Sequence, residues 1–126
     1  MTNQTRGLQR IYNAAGYSIK GLYAAWQHEA AFRQEVMVCL PALLVVCGLN
    51  LLSVERILLL GVLLLVLIVE LLNSALEAAI DRIGLEHHPL SGRAKDMASA
   101  AVFLAVLLAV VTWGVVLWPH IKTYFM

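Results

Sequence analysis

The sequence predicts an all-α integral membrane protein, with an N-terminal amphipathic helix lying in the membrane interface ahead of three transmembrane helices. Three observations predict it. Of 126 residues, 61% are hydrophobic and 13% charged, far from the balance of a soluble domain. The apolar residues gather in three runs, 36–52, 57–80 and 98–118, each near or above the roughly 17 residues that span a bilayer. Ahead of them, Leu8, Ile11, Tyr12, Ala15, Ile19, Leu22, Tyr23 and Trp26 recur at helical spacing, with Arg10, Asn13, Tyr17, Lys20 and Gln27 on the other side. The length suits one membrane domain, 1–126.

The interfacial helix is expected over about 6–30. Gly7, Gly16 and Gly21 loosen it, at roughly 1 kcal/mol each relative to Ala. Such a helix fits either a plain anchor or a protein whose substrate arrives sideways from the lipid. No cleavable signal peptide is expected, because the first 35 residues hold no long apolar stretch. The first span contains Pro41 and Gly48, which membrane helices tolerate when neighbours satisfy the backbone. Residues 53–56 form a short link, so the first two spans make a tight antiparallel hairpin. The segment 82–95 holds Gly84, Pro89 and Gly92 and reads as a loop, with Ser91 as the expected N-cap of the next helix. Trp113 and Trp118 fit an interfacial aromatic belt at the end of the third span.

Charge sets the orientation. Arg6, Arg10, Lys20, Arg33, Arg82, Arg93 and Lys95 fall on one side of the membrane, and Arg56 and Lys122 on the other. The basic side, with the N-terminus, is expected in the cytoplasm. A net charge of +1 supplies no basic field for nucleic acid. Cys39 and Cys47 are eight residues apart in one apolar run. That is about 12 Å of helix rise, too far for a mutual disulfide, so both read as packing residues.

The most informative residues are Glu70, Asn73 and Glu77 inside the second apolar run. At about 100° per residue they project from one helix face, and Asp81 follows one turn later. Polar groups at membrane depth are costly and mark function. This stripe must face partner helices, water, a metal or a substrate. Glu29 and Glu77 both fall near headgroup depth. Two carboxylates with phosphate oxygens and water suit Mg²⁺. Glu70 lies about 10 Å deeper than Glu77 along the axis. A carboxylate in apolar surroundings is a candidate general base, and the hydroxyl it would activate belongs to something buried in the membrane. Lys95 and Asp96 open the third span, where an ammonium and free helix N–H groups favour phosphate. Asp96 suits a ribose hydroxyl, and Asn73 suits orientation of the base or of a phosphate oxygen.

Plainer readings stand beside these. The stripe also fits polar glue between helices of an oligomer, or a proton or cation path through a non-enzymatic membrane protein. Lys95 and Asp96 also fit a solvated helix start. Glu86, His87 and His88 do not complete a tetrahedral metal set and read as a surface loop. The phosphate-binding glycine motif, the dinucleotide fingerprint, the nucleophile elbow and the zinc-protease helix are all missing from the sequence.

Four stretches carry a resemblance: AAGYSIKGLYAAW (14–26), EAAFRQE (29–35), VELLNSALEAAIDRIG (69–84) and LSGRAKDMASAAV (90–102). They cover about half the chain and nearly all its polar positions. On them the chain resembles the bacterial integral-membrane diacylglycerol kinases. The resemblance implies a homotrimeric bundle in the bacterial inner (cytoplasmic) membrane, with active sites at subunit boundaries. It implies MgATP-dependent phosphorylation of diacylglycerol to phosphatidic acid. Carried over by residue, Glu70 looks like the catalytic base, with Asn73 close to the reaction, and Glu29 and Glu77 look like the metal ligands. Arg10, Tyr17, Glu29, Glu77, Lys95 and Asp96 match the nucleotide side, and Glu86, His87 and His88 its adenine end. Arg10, Ala14, Ser18, Ile19, Tyr23, Trp26, Ala31, Glu35, Glu70 and Ser99 match the lipid side, to which Trp113 and Trp118 are added. Three departures stand out: Tyr23, His28 before Glu29, and Pro89 in the nucleotide-side loop. Related small kinases that act on undecaprenol share the same chemistry. The interfacial helix with GYSIKGL looks closer to the diacylglycerol branch.

Overall fold

The computed structural model describes residues 7–125. Arg6, counted above with the cytoplasmic basic residues, lies outside them. Four helices follow in order: α1 (Gly7–His28), α2 (Ala30–Gly48), α3 (Ser53–Ile83) and α4 (Pro89–Phe125), with no strand among the described residues. The last three are long and apolar enough to cross a membrane.

Helix α1 keeps its apolar residues outside the bundle. Leu8, Ile11, Tyr12 and Ile19 are exposed, and Ala25 is its one buried residue. An apolar stripe left open in this way suits the boundary between headgroups and acyl chains. A single residue, Glu29, breaks the helix at the corner into α2, with φ −117° and ψ 106°. Arg33 holds that corner. Its guanidinium donates to the carbonyls of Trp26 (2.7 Å) and Gln27 (3.1 Å), near the end of α1. Those carbonyls have no amide donor further along their own helix.

The first span begins earlier than its apolar run and ends sooner. Its helix starts at Ala30 and stops at Gly48. Leu49 to Leu52 are extended chain, with Leu51 buried against the core. Pro41 lies inside α2, and its missing N–H leaves one carbonyl a turn earlier without a helical donor.

Helices α3 and α4 run well past their apolar stretches. At 31 and 37 residues they are about 46 and 55 Å long, against roughly 30 Å of hydrocarbon. The polar ends of both therefore stand clear of the bilayer core on the side that carries Glu77, Asp81, Lys95 and Asp96. Ser91 does not cap α4. The helix starts two residues earlier, at Pro89. Proline is preorganised for the first helical position, where an N–H would go unused. The His88 ring takes the capping place, its Nδ1 accepting from the Leu90 N–H at 3.1 Å.

The core sits at the opposite end. Val46, Leu51 and Leu59 are packed together and flanked by Leu49, Trp113, Val116 and Leu117. Trp113 is turned inward, its indole N–H donating to the Leu59 carbonyl at 3.1 Å. This corrects its placement in an outward aromatic belt against lipid. Trp118 is 62% exposed and fits that belt. Arg56 reaches back from α3 to the carbonyls of Val46 (3.3 Å) and Leu49 (3.1 Å). Glu55 accepts from the Leu52 N–H at 2.9 Å and approaches His120 at 3.3 Å. Only nine apolar side chains are buried among the described residues. A water-soluble fold of this length needs a larger core, and the three long apolar helices are of the kind that lipid covers instead.

Candidate active site

Glu70 is the one buried charged residue among those described, 5% exposed within α3. Its burial follows from its position on the same helix face as Val62 and Val66, which are also buried. From α2, Glu35 comes up against it, and the two carboxyl groups adjoin. Glu35 Oε1 is enclosed and has no hydrogen-bond partner among the described residues. Burial of a carboxylate without a cation beside it is expensive.

The stripe is ordered by hydrogen bonds one turn apart. The Asn73 amide donates to Glu77 Oε1 at 3.1 Å, and the Ser74 hydroxyl donates to Glu70 Oε2 at 3.3 Å. Asn73 is thus directed at Glu77, away from Glu70. Farther along α3, Asp81 pairs with Lys95 of α4 at 2.8 Å. This pair joins the two polar helix ends across the loop that carries Glu86, His87 and His88. The Asp81–Lys95 pair and that loop line one small pocket with Ser91 and Gly92. His88 is engaged through Nδ1 as the helix cap, so Nε2 is its free ring nitrogen.

A second hollow lies between α1 and α3. One wall carries Ser18, Leu22, His28 and Glu29, the other Leu71, Ser74 and Ala78. Glu29 therefore sits in the mouth of a mostly apolar groove that runs under the interfacial helix. The remaining α1 residues of the lipid-side set, Arg10, Ala14, Ile19, Tyr23 and Trp26, are exposed on that helix, as is Tyr17 of the nucleotide side. Ala31 is exposed on α2, and Asp96 and Ser99 are exposed on α4. The structure brings together Glu35 with Glu70, Asn73 with Glu77, and Lys95 with the histidine loop. It leaves Trp113 and Trp118 at the far end of the bundle.

The donors present fit a hard divalent cation shared with phosphate. Glu29 makes no capping bond at the start of α2, and Asn73 engages one oxygen of Glu77, so carboxylate oxygens of both residues remain uncommitted. No group of three or more His, Cys, Asp or Glu side chains forms a closed metal cage among the described residues. One or two carboxylates with substrate phosphates is the usual arrangement for Mg²⁺.

Two residues that position the site escaped the sequence reading. In the sequence Arg33 reads as a cytoplasmic-side charge within the lipid-side stretch 31–35; in the fold it fixes the corner at Glu29. Ser74 had no role, although its spacing four residues after Glu70 is the signal that would have found it.

Comparison with known proteins identifies the family. The family model described as prokaryotic diacylglycerol kinase matches residues 16–117. A diacylglycerol kinase of Escherichia coli is 57% identical over 120 residues, covering 95% of this chain and 98% of the relative. One from Pseudomonas aeruginosa is 53% identical over 111 residues, covering 88% and 90%. One from Haemophilus influenzae is 43% identical over 114 residues, covering 90% and 97%. With three membrane-length helices and a buried carboxylate already in place, these matches settle the family: the chain belongs to the prokaryotic diacylglycerol kinases, a family of membrane lipid kinases.

Proposed function

We propose that the chain transfers the γ-phosphate of ATP to the primary hydroxyl of 1,2-diacylglycerol, yielding phosphatidic acid and ADP. It acts as a homotrimer in the bacterial inner membrane, with its N-terminus and reaction centre facing the cytoplasm. The observation that carries this reading is the burial of Glu70, one turn before Ser74, which lines with Glu29 a mostly apolar groove. A base for a lipid hydroxyl has to sit at that depth.

Glu70 takes the hydroxyl proton while the hydroxyl oxygen bonds to the γ-phosphorus and the bond to ADP breaks. Transfer is direct, with no phosphoenzyme. Lys95 offsets phosphate charge, which is most of what phosphoryl transfer asks of a protein. Its partner Asp81 keeps the ammonium in place before the nucleotide arrives. Asp96 and the loop 86–88 receive the nucleoside. Glu29 and Glu77 would hold Mg²⁺, which when bound supplies charge neutralisation on the transferring phosphate. Asn73 orients Glu77, as outer partners of metal ligands do.

Phosphate transfer from labelled MgATP in mixed micelles tests the reading, with diacylglycerol and undecaprenol offered separately and Glu70→Gln as control. Strong labelling of diacylglycerol that vanishes in the variant is expected. Preference for undecaprenol would keep the mechanism and change the substrate. Near-normal turnover in Glu70→Gln would remove Glu70 as the base. No labelling of either lipid by a folded protein would return the stripe to the ion-path reading.

A further inference from the structure

We propose that Ser74 is a positioning residue for the base. Its hydroxyl fixes one oxygen of the Glu70 carboxylate, so that the other oxygen is the one presented to the lipid hydroxyl. The inference rests on the reading of Glu70 as base and adds to it a residue that composition and spacing had left without a role.

A serine or threonine inside a helix returns its proton to the carbonyl one turn back. Ser18 does so to Ala14 at 2.9 Å, and Thr123 does so to Pro119 at 2.9 Å. Ser74 has the same backbone setting in α3, yet its hydroxyl goes to the Glu70 side chain at 3.3 Å. A carboxylate is the stronger acceptor, and it competes here because Glu70 is enclosed and short of donors.

The Ser74 hydroxyl is a neutral donor to one Glu70 oxygen. Glu35, its neighbour from α2, is another carboxyl group. The contact is long, as catalytic hydrogen bonds often are before substrate binds. Ser74 also lines the groove under α1 that opens at Glu29. It therefore stands between the base and the hollow beside it. Adjacent residues divide the stripe: Asn73 reaches forward to Glu77, and Ser74 reaches back to Glu70. A carboxylate bound at one oxygen has one orientation, and a proton-transfer step depends steeply on that orientation.

The test compares Ser74→Ala and Ser74→Thr in the parent and in Glu70→Asp, whose shortened side chain withdraws the carboxylate from the hydroxyl. Turnover and KM for lipid and MgATP are measured in mixed micelles. Ser74→Ala is expected to lower kcat roughly tenfold, the scale of one hydrogen bond to a charged group, with both KM values within about twofold. Ser74→Thr is expected to keep most of the parent kcat. In the Glu70→Asp background, Ser74→Ala is expected to add little, because the contact is already lost. Parent-like kcat in Ser74→Ala would overturn the proposal. So would a loss confined to KM, or an equal fold-loss in both backgrounds. Failure of the base reading is seen separately, as full turnover in Glu70→Gln.

Discussion

Replacing Arg56 by Ala should weaken the joint between α2 and α3 without touching the reaction centre. The Arg56 guanidinium donates to the carbonyls of Val46 and Leu49, at 3.3 and 3.1 Å. Helix α2 stops at Gly48, so both carbonyls lack the amide that a longer helix would supply. Val46 is 1% exposed, so water cannot take over at that position. Leu49 is half-buried and recovers part of its solvation. A hydrogen bond to a charged donor contributes about 1.5–3 kcal/mol, and a long or partly wet one less. The cation also faces the negative end of α2, worth a further few tenths of a kcal/mol. Together these give about 2–3 kcal/mol, or a change of roughly thirty- to 150-fold in the folding equilibrium. The assay is equilibrium unfolding in mixed micelles by a denaturing detergent, followed by tryptophan fluorescence, since Trp113 packs beside the joint. Arg56→Lys should recover less than half, because an ammonium lacks the planar fork that spans two carbonyls. A loss below about 0.5 kcal/mol in Arg56→Ala would refute the reasoning.

Other expectations follow from single contacts. Trp113→Phe keeps an aromatic ring in the core and removes the N–H that meets the Leu59 carbonyl; it should cost about 0.5–1.5 kcal/mol in the same unfolding assay, and Trp113→Ala distinctly more. Glu77→Gln should raise the Mg²⁺ concentration needed for half-maximal turnover about tenfold or more, and an unchanged titration would count against its ligand role. Arg33→Gln should loosen the corner at Glu29, seen as faster amide exchange over 24–30 and a several-fold fall in turnover; unchanged exchange would leave Arg33 without a positioning role.

Hydropathy and spacing carried most of the architecture. The runs 36–52, 57–80 and 98–118 name all three membrane-length helices, because bilayer thickness imposes a minimum apolar length on any spanning helix. The stripe Glu70, Asn73, Glu77 was readable for a related reason: a polar residue at that depth has few excuses. What escaped was local and geometric. The start of α4 at Pro89 depends on a histidine ring accepting a backbone N–H, an unusual cap that residue preferences rank low. The inward turn of Trp113 depends on its azimuth relative to α3, and an aromatic residue near a span end has two plausible faces. Ser74 was overlooked because a small hydroxyl inside an apolar helix is normally satisfied by its own backbone. The role of Arg33 needed the corner at Glu29, which only the folded chain reveals.

The distribution of packing gives the molecule the mechanics of tongs. Its pivot is the cluster around Leu59, and its tips, roughly 30 Å along α3 and α4, carry the pair Asp81 and Lys95. A tilt of about 5° at such a pivot moves the tips by roughly 3 Å, while a hydrogen bond tolerates only a few tenths of an ångström. Grip at the working end is thus governed by fit at the remote one. Substituting a methyl group for an isobutyl group at Leu59 should alter turnover at a centre it never touches, and a tighter pivot should act as a stiffer spring on the distance between Asp81 and Lys95.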